Sequence, residues 1–211
     1  ALAGKIGIGT VALEGREQQV AIEPRGKGFV MHMLYPAKEV RDITGKPILL
    51  QTIESLLACG EHYPVRIIVV DNGQQNITSP SDKVVVINMP ANKGWERGLI
   101  EGLKRSDAEY GVFANDDIFV PRISRWWMRD FVALMKSEPT IGGIGPVSNV
   151  VMGPQSIFVG AEIPKAVVFD VKFLIGFFVM YRRSALDAAG GIDDTLPGGD
   201  DIDLGIRVRK A

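Results

Sequence analysis

Three acidic clusters in this chain stand where carboxylates lose solvation unless they meet a cation or hydrogen-bond donors. Asp71-Asn72-Gly73 closes the apolar run Arg66–Val70, and Asn115-Asp116-Asp117 closes the run Tyr110–Ala114. Gly198-Gly199-Asp200-Asp201-Ile202-Asp203 opens the last helical segment. A buried, uncompensated carboxylate is costly. Strand-end and helix-entry aspartates also serve as turn residues and caps, so each cluster alone would be ordinary. Together on one rim of an α/β sheet they mark a site, because such sheets bind ligands at the carboxyl ends of their strands. Asp116 and Asp117 suit a hard cation, Mg²⁺ or Mn²⁺, which takes oxygen ligands and completes its shell from phosphates. Zinc fits poorly, since the chain has only two histidines and His32, mid-strand, reads as a core residue.

The elements that must position these clusters alternate strand and helix. Phe29–Leu34 reads as a strand, Pro47–Cys59 as a helix with Pro at its first turn and Gly60 just past its end. Arg66–Val70 and Val84–Ile87 are buried-strand runs, Trp95–Lys104 a helix, Tyr110–Ala114 a strand, and Ile123–Lys136 an amphipathic helix. That order implies a mostly parallel sheet covered on both faces. Ile141–Gln155 is rich in Gly, Pro, Ser and Asn and reads as a loop with one short strand. Val167–Asp170 and Phe173–Tyr181 then read as strands, Ser184–Ala189 as a short helix and Asp201–Lys210 as the last one. Ahead of all this, Thr10–Leu13 and Gln19–Ile22 flank Glu14-Gly15-Arg16 and suggest a β-hairpin extension over residues 1–27. Residues 28–211 then form one α/β domain, and the chain's end within a helical segment leads us to expect a longer protein.

Composition narrows the function classes. With 211 residues, 46 % hydrophobic and 23 % charged, the chain is an ordinary globular domain. A net charge of −1 with no basic cluster argues against nucleic acid. The longest apolar stretch, Phe173–Tyr181, is far short of the ~20 residues that cross a bilayer. We expect a cytoplasmic protein, with association at a membrane surface left open and the oligomeric state undetermined. Cys59, in the run Leu56–Cys59, is the only cysteine, which excludes an intrachain disulfide and reads as an inert buried thiol. Gly7-Ile8-Gly9 has the glycines of a dinucleotide-binding turn but a β-hairpin follows it where a helix is required.

Five segments, in order, resemble the family 2 glycosyltransferases. Val69-Val70-Asp71-Asn72-Gly73 is similar to the family's strand-end motif, and Asn92-Lys93-Gly94-Trp95 with Gly98 and Gly102 to its Asn-x-Gly-aromatic helix start. Phe113–Asp117 is similar to its metal-binding motif, and Gly176–Arg183 through Gly190-Gly191-Ile192-Asp193 to the segment beneath its acceptor site. Asp200-Asp201-Ile202-Asp203-Leu204 stands where the family has Glu-Asp-x-Asp-Leu. The first strand ends Tyr35-Pro36-Ala37-Lys38 and departs from the family's usual Pro-Thr-Tyr-Asn, and residues 1–27 match nothing in the pattern.

The resemblance implies a GT-A fold, with a Rossmann-like, mostly parallel central sheet flanked by helices and a smaller mixed β part in the C-terminal half. It implies an inverting transfer from a nucleoside-diphosphate sugar to a hydroxyl of a glycan, lipid-linked glycan or small molecule, as in polysaccharide biosynthesis. Asp201 is then the general base, with Asp200 beside it; a weak hydroxyl nucleophile needs such a proton acceptor. Asp71 holds the nucleotide base with Pro36 shaping its pocket, and Asn72, Asn92, Gly94 and Arg97 complete the donor side. Asp117 binds Mn²⁺ or Mg²⁺ directly and Asp116 acts through ribose or water. Asn149, Gln155 and Gly176 lie on the acceptor side, in or near a loop rich enough in glycine to move. Two rivals remain: a sugar-nucleotide nucleotidyltransferase, which would place a glycine-rich loop after its first strand where Pro36-Ala37-Lys38-Glu39 stands, and a non-catalytic nucleotide- or sugar-binding module of the same fold.

Overall fold

The computed structural model describes residues 7–13, 16–25 and 28–33 by their backbone, and 48–59, 64–121, 124–148, 153–156, 168–196 and 198–211 in full. Two units divide the chain, residues 1–46 and residues 47–211. In the first, β1 (Gly7–Leu13), β2 (Arg16–Arg25) and β3 (Gly28–Met33) form an antiparallel meander in that order. Its ladders close at Leu13↔Arg16 and Arg25↔Gly28. The links, Glu14-Gly15 and Gly26-Lys27, each carry a glycine and are short enough for tight hairpins. The expected hairpin is present, but it is not alone. The run expected to open the parallel sheet, Phe29–Leu34, is β3 and pairs with β2. A partner two residues away is reached with little loop-closure entropy, whereas a parallel partner lies a whole crossover away. No helix follows Gly9, as the dismissal of the dinucleotide motif requires.

In the second unit, α1 (Ile48–Cys59) is followed by β4 (Ile67–Asp71) and β5 (Val84–Asn88), a parallel pair in register from Ile67↔Val84 to Asp71↔Asn88. Helix α2 (Trp95–Leu103) lies on β4 along Gly98 and Gly102; a Cβ on Gly102 would sit 3.5 Å from Val70 Cγ2. The bare glycine face lets the helix backbone come this close. Then come β6 (Tyr110–Ala114), α3 (Trp127–Ser137), β7 (Gly143–Ile144), β8 (Phe178–Arg182), α4 (Arg183–Ala188) and α5 (Asp200–Lys210).

Among the described residues the sheet is therefore not mostly parallel. β8 runs antiparallel between β6 and β7, in the order β6-β8-β7. Its central place explains why Phe178 to Tyr181 are all buried, since a strand covered on both faces loses its alternation. Three apolar clusters tie the layers together. Phe113, Val179, Tyr181, Leu186 and Leu204 join β6 and β8 to α4 and α5, with Leu99 and Leu103 of α2 packed against them. Ile53, Val69 and Val84 fix α1 on the parallel pair, and Val132, Met135 and Met180 fix α3 on the antiparallel sheet. Cys59 is buried and burial pushes its thiol up, in keeping with an inert side chain. No helix among the described residues is long and apolar enough to cross a membrane.

Candidate active site

The carboxyl end of β4 begins the site. Asp71 is 2 % exposed, and its carboxylate accepts the backbone N–H groups of Gly73 at 3.1 Å and Ile77 at 3.4 Å. Burial alone would raise its proton affinity. The N–H groups of Gln75, Ile77, Asn76 and Gly73 outweigh it and hold the carboxyl below the usual range. Asp71 thus ties the turn after β4. Asn72 reaches the other way: its amide donates to Gly94 O at 2.6 Å and accepts from Lys93 N at 2.9 Å. Asn92 Oδ1 in turn accepts the Gly94 N–H at 3.0 Å. Gly94 has φ +90°, a conformation that L side chains rarely adopt, and it opens α2. Asn72, Asn92 and Gly94 are therefore one hydrogen-bonded assembly, next in the chain to the turn that Asp71 ties.

The second cluster follows β6. Asp116 and Asp117 are both exposed on a turn. Thr52 of α1, 3 % exposed, holds that turn from beneath, its hydroxyl 2.7 Å from the carbonyls of both Asp116 and Ile118. Ser55, one helical turn on, accepts the Val120 N–H at 3.2 Å. Among the described residues no group of three or more His, Cys, Asp or Glu side chains converges to hold a metal ion by itself. Two exposed carboxylates on a braced turn fit a hard cation whose other ligands are phosphate oxygens and water.

The third cluster meets both. Asn115 N donates to Phe177 O at 3.0 Å, which sets the Asp116-Asp117 turn beside the start of β8. The next residue back, Gly176, donates its N–H to Asp201 Oδ2 at 2.9 Å, while Asp201 Oδ1 accepts the Ile202 N–H at 2.8 Å. Gly176 is pressed between elements: a Cβ there would lie 3.0 Å from Trp95 Cη2 and 3.2 Å from Asp201 Cβ. Gly199, at φ +73°, turns the chain into α5, so that Asp200, Asp201 and Asp203 occupy its first turn. A helix N-terminus favours such charge. Asp200 nevertheless has a raised proton affinity. Burial is the largest cause, opposed by its own backbone N–H and reinforced by the charges of Glu96 and Asp201 and a hydrogen bond with Glu96. Tyr181, buried in β8, is likewise held protonated by burial and by Asp201 and Asp200.

A continuous line of contacts thus runs Asp71–Asn72–Gly94–Trp95–Gly176–Asp201, with Asp116-Asp117 joined through Asn115 and Phe177. Two expected site residues do other work here. Gln155 is 2 % exposed, and its amide donates to Pro146 O at 2.8 Å and accepts from Ile175 N at 2.5 Å. Buried, it clips a loop to the segment before Gly176. Arg97 forms an ion pair with Asp194 beyond α4. Pro36 and Asn149 lie outside the described residues. A cleft of about 720 Å³ is lined by Gly143, Gly145, Phe173, Leu174 and Val208 among others and includes none of the acidic clusters. Sequence reasoning passed over Thr52 and Glu96 and named Trp95 only as the aromatic of the Asn-x-Gly-aromatic helix start. Only the position of Glu96 one residue after Gly94-Trp95 could have pointed to it.

Comparison with known proteins bears on this site. The family model described as glycosyl transferase family 2 matches residues 43–190, well over half of the chain. The chain belongs to that family and is a glycosyltransferase domain. Two proteins named pre-mycofactocin glycosyltransferase, from two strains of Mycobacterium tuberculosis, are each 26 % identical to it over 165 residues, covering 70 % of this chain and 34 % of theirs. The chain spans about a third of the length of these curated relatives.

Proposed function

We propose that this chain is the catalytic domain of an inverting glycosyltransferase that moves a sugar from a nucleoside diphosphate to a hydroxyl acceptor. One observation carries the reading: the contact line that joins the donor-side assembly at Asn72 and Gly94 to Asp201 through Gly176. A donor laid along it has its nucleotide at Asp71 and its sugar toward α5. The acceptor oxygen then bonds to the anomeric carbon, its proton passes to the Asp201 carboxylate, and the bond from sugar to diphosphate breaks. The N–H groups of Gly176 and Ile202 orient that carboxylate, which keeps the acceptor oxygen and base in line. Asp117, with Asp116, would hold Mn²⁺ or Mg²⁺, which when bound neutralises charge on the departing diphosphate. The acceptor is a hydroxyl of a glycan, lipid-linked glycan or small molecule, and the working compartment is the cytoplasm.

Calorimetry with uridine, guanosine and thymidine diphosphates, with and without Mn²⁺, tests the reading. One nucleotide binds, and Mn²⁺ tightens it in the wild type but not in Asp117→Ala. Equal affinity with and without metal removes the metal assignment. No binding of any nucleotide removes the donor assignment.

A further inference from the structure

The three tryptophans of the chain are held in different ways. Trp127 is closed in by the rings of Phe131 at 5.6 Å and Phe178 at 4.8 Å. Trp126 is met by the guanidinium groups of Arg125 at 5.3 Å and Arg129 at 4.7 Å. Trp95, the first residue of α2, is 38 % exposed, and among the described residues no ring or cation covers its indole. A single exposed apolar side chain is common on protein surfaces. The position of this one sets it apart. The benzo edge of its indole faces Gly176: a Cβ there would lie 3.0 Å from Trp95 Cη2, 3.3 Å from Trp95 Cζ2 and 3.2 Å from Asp201 Cβ. The ring edge and the Asp201 side chain therefore lie within 3.3 Å of one point. Both are fixed there. Gly94, at φ +90°, and its hydrogen bond with Asn72 set the start of α2, while the Gly176 N–H holds Asp201 Oδ2 at 2.9 Å.

We propose that Trp95 is a binding subsite for a sugar ring: its uncovered indole takes the C–H face of a pyranose next to the bond that Asp201 serves. The subsite rests on the reading that Asp201 supplies the base. A pyranose carries several C–H bonds on one face, which form an apolar patch with slight positive charge at the hydrogens. The π face of an indole is negative, so the two attract. Stacking also hides from water the apolar area that Trp95 exposes. Ligand sites join such aromatic surface to a few placed polar groups, and here Asp201 is one of them. A nucleobase stacks on aromatic side chains as well, but the position is wrong for it. The anomeric carbon must reach the acceptor oxygen that Asp201 deprotonates, whereas the nucleobase is a ribose and a diphosphate further along the donor. Two rings can flank the new bond: the transferred sugar and, in a glycan acceptor, the ring that bears the attacking hydroxyl. Both offer the same C–H face.

Indole ¹H–¹⁵N resonances of the full chain test the subsite, that of Trp95 being the one missing from the spectrum of Trp95→Phe. The wild type is titrated with uridine, guanosine and thymidine diphosphates and then with their nucleotide sugars. Methyl pyranosides follow, alone and with the diphosphate that binds. The Trp95 resonance stays near its free position with a bare diphosphate. It moves with a nucleotide sugar where the transferred sugar stacks on it, and with a pyranoside where the acceptor ring does. Trp95→Leu then binds that same ligand about three- to tenfold more weakly in calorimetry, the worth of an aromatic contact. Its affinity for the bare diphosphate is unchanged, which also reports that it is folded, and Trp95→Phe keeps most of the sugar affinity. A Trp95 resonance that moves fully with the bare diphosphate puts the nucleotide on the ring and overturns the subsite. So does one that ignores both the nucleotide sugar and the pyranosides, or a folded Trp95→Leu that binds both as the wild type does. The wild-type titration decides alone where Trp95→Leu does not fold. A chain that binds no nucleotide removes the transfer reading instead; the subsite then stands only where pyranosides alone move Trp95.

Discussion

Gly176→Ala is the smallest change that reaches the centre of the site. The added methyl would sit 3.0 Å and 3.3 Å from two atoms of the Trp95 ring and 3.2 Å from Asp201 Cβ. Carbon atoms pack best at ~3.5–4.0 Å, so Trp95 and Asp201 must together yield about half an ångström. The backbone is free to do so at neither residue. Trp95 opens a helix anchored by Asn72 and Gly94, and Asp201 belongs to the first turn of α5. Overpacking of this kind costs about 1–3 kcal/mol, and each kcal/mol lowers Tm by about 2–4 °C in a domain of this size. The kinetic effect follows from geometry. A 1 Å misplacement can lose ~10²-fold in rate, so half of that predicts about tenfold in kcat. Nucleoside diphosphate release at saturating donor gives kcat, and a thermal melt gives the stability change. Wild-type kcat together with a lowered Tm would refute the claim that Gly176 places the Asp201 carboxylate for chemistry.

Other perturbations read the remaining parts of the rim. Thr52→Val removes the hydroxyl that braces the carbonyls of Asp116 and Ile118. It should cost about 1–3 kcal/mol in a urea melt and weaken Mn²⁺-dependent nucleotide affinity in calorimetry; unchanged metal dependence would separate the brace from the metal. Asp71 is held below its unfolded value of about 3.9. Its contribution to stability is therefore complete above that pH and disappears as pH falls through the folded value. Urea melts at pH 7 and pH 3 should show Asp71→Asn losing less stability between the two than wild type, and equal losses would contradict the hydrogen-bond account. Asp71→Ala should raise the donor KM more than it lowers kcat, and the reverse pattern would give Asp71 a role in the chemical step.

Particular residues show how far the sequence carries. The runs Arg66–Val70, Val84–Ile87 and Tyr110–Ala114 are dense in β-branched and aromatic residues and are bounded by turn signals, and each is a strand within a residue of its expected ends. Their partners were not legible. Nothing local in Tyr110–Ala114 says that Phe178–Arg182, which follows a long loop, will lie antiparallel beside it. Phe29–Leu34 has the composition of a parallel-sheet strand, yet the short Gly26-Lys27 link gives it a nearer partner in β2. Val168 and Phe169, apolar enough to suggest a strand, are exposed at 64 % and 51 % and carry no regular structure. The helix expected from Ile123 starts at Trp127, after a turn in which Ser124 N donates to Pro121 O.

The acidic clusters could be singled out because three of them close or open elements in one domain, although each alone would be an ordinary turn or cap. Thr52 and Glu96 were not, because a helix-surface threonine and a first-turn glutamate acquire meaning only from what another element places against them. Gln155 is the complementary case. A glutamine in a polar loop looks available, and only the packing of Pro146 and Ile175 around it shows that its amide is already spoken for.

The most direct test of transfer at this rim is Asp201→Asn, measured with Asp200→Asn beside it. Asparagine caps a helix about as well as aspartate, and its Oδ1 can still accept the Gly176 N–H. The fold and donor affinity should therefore survive, as calorimetry with the cognate nucleoside diphosphate will show. The amide cannot take the acceptor's proton. Nucleoside diphosphate release should fall ~10²–10⁴-fold, the range for a missing general base, and by less in Asp200→Asn. A rate close to wild type in Asp201→Asn would contradict the account, and a larger loss in Asp200→Asn would move the base one residue upstream.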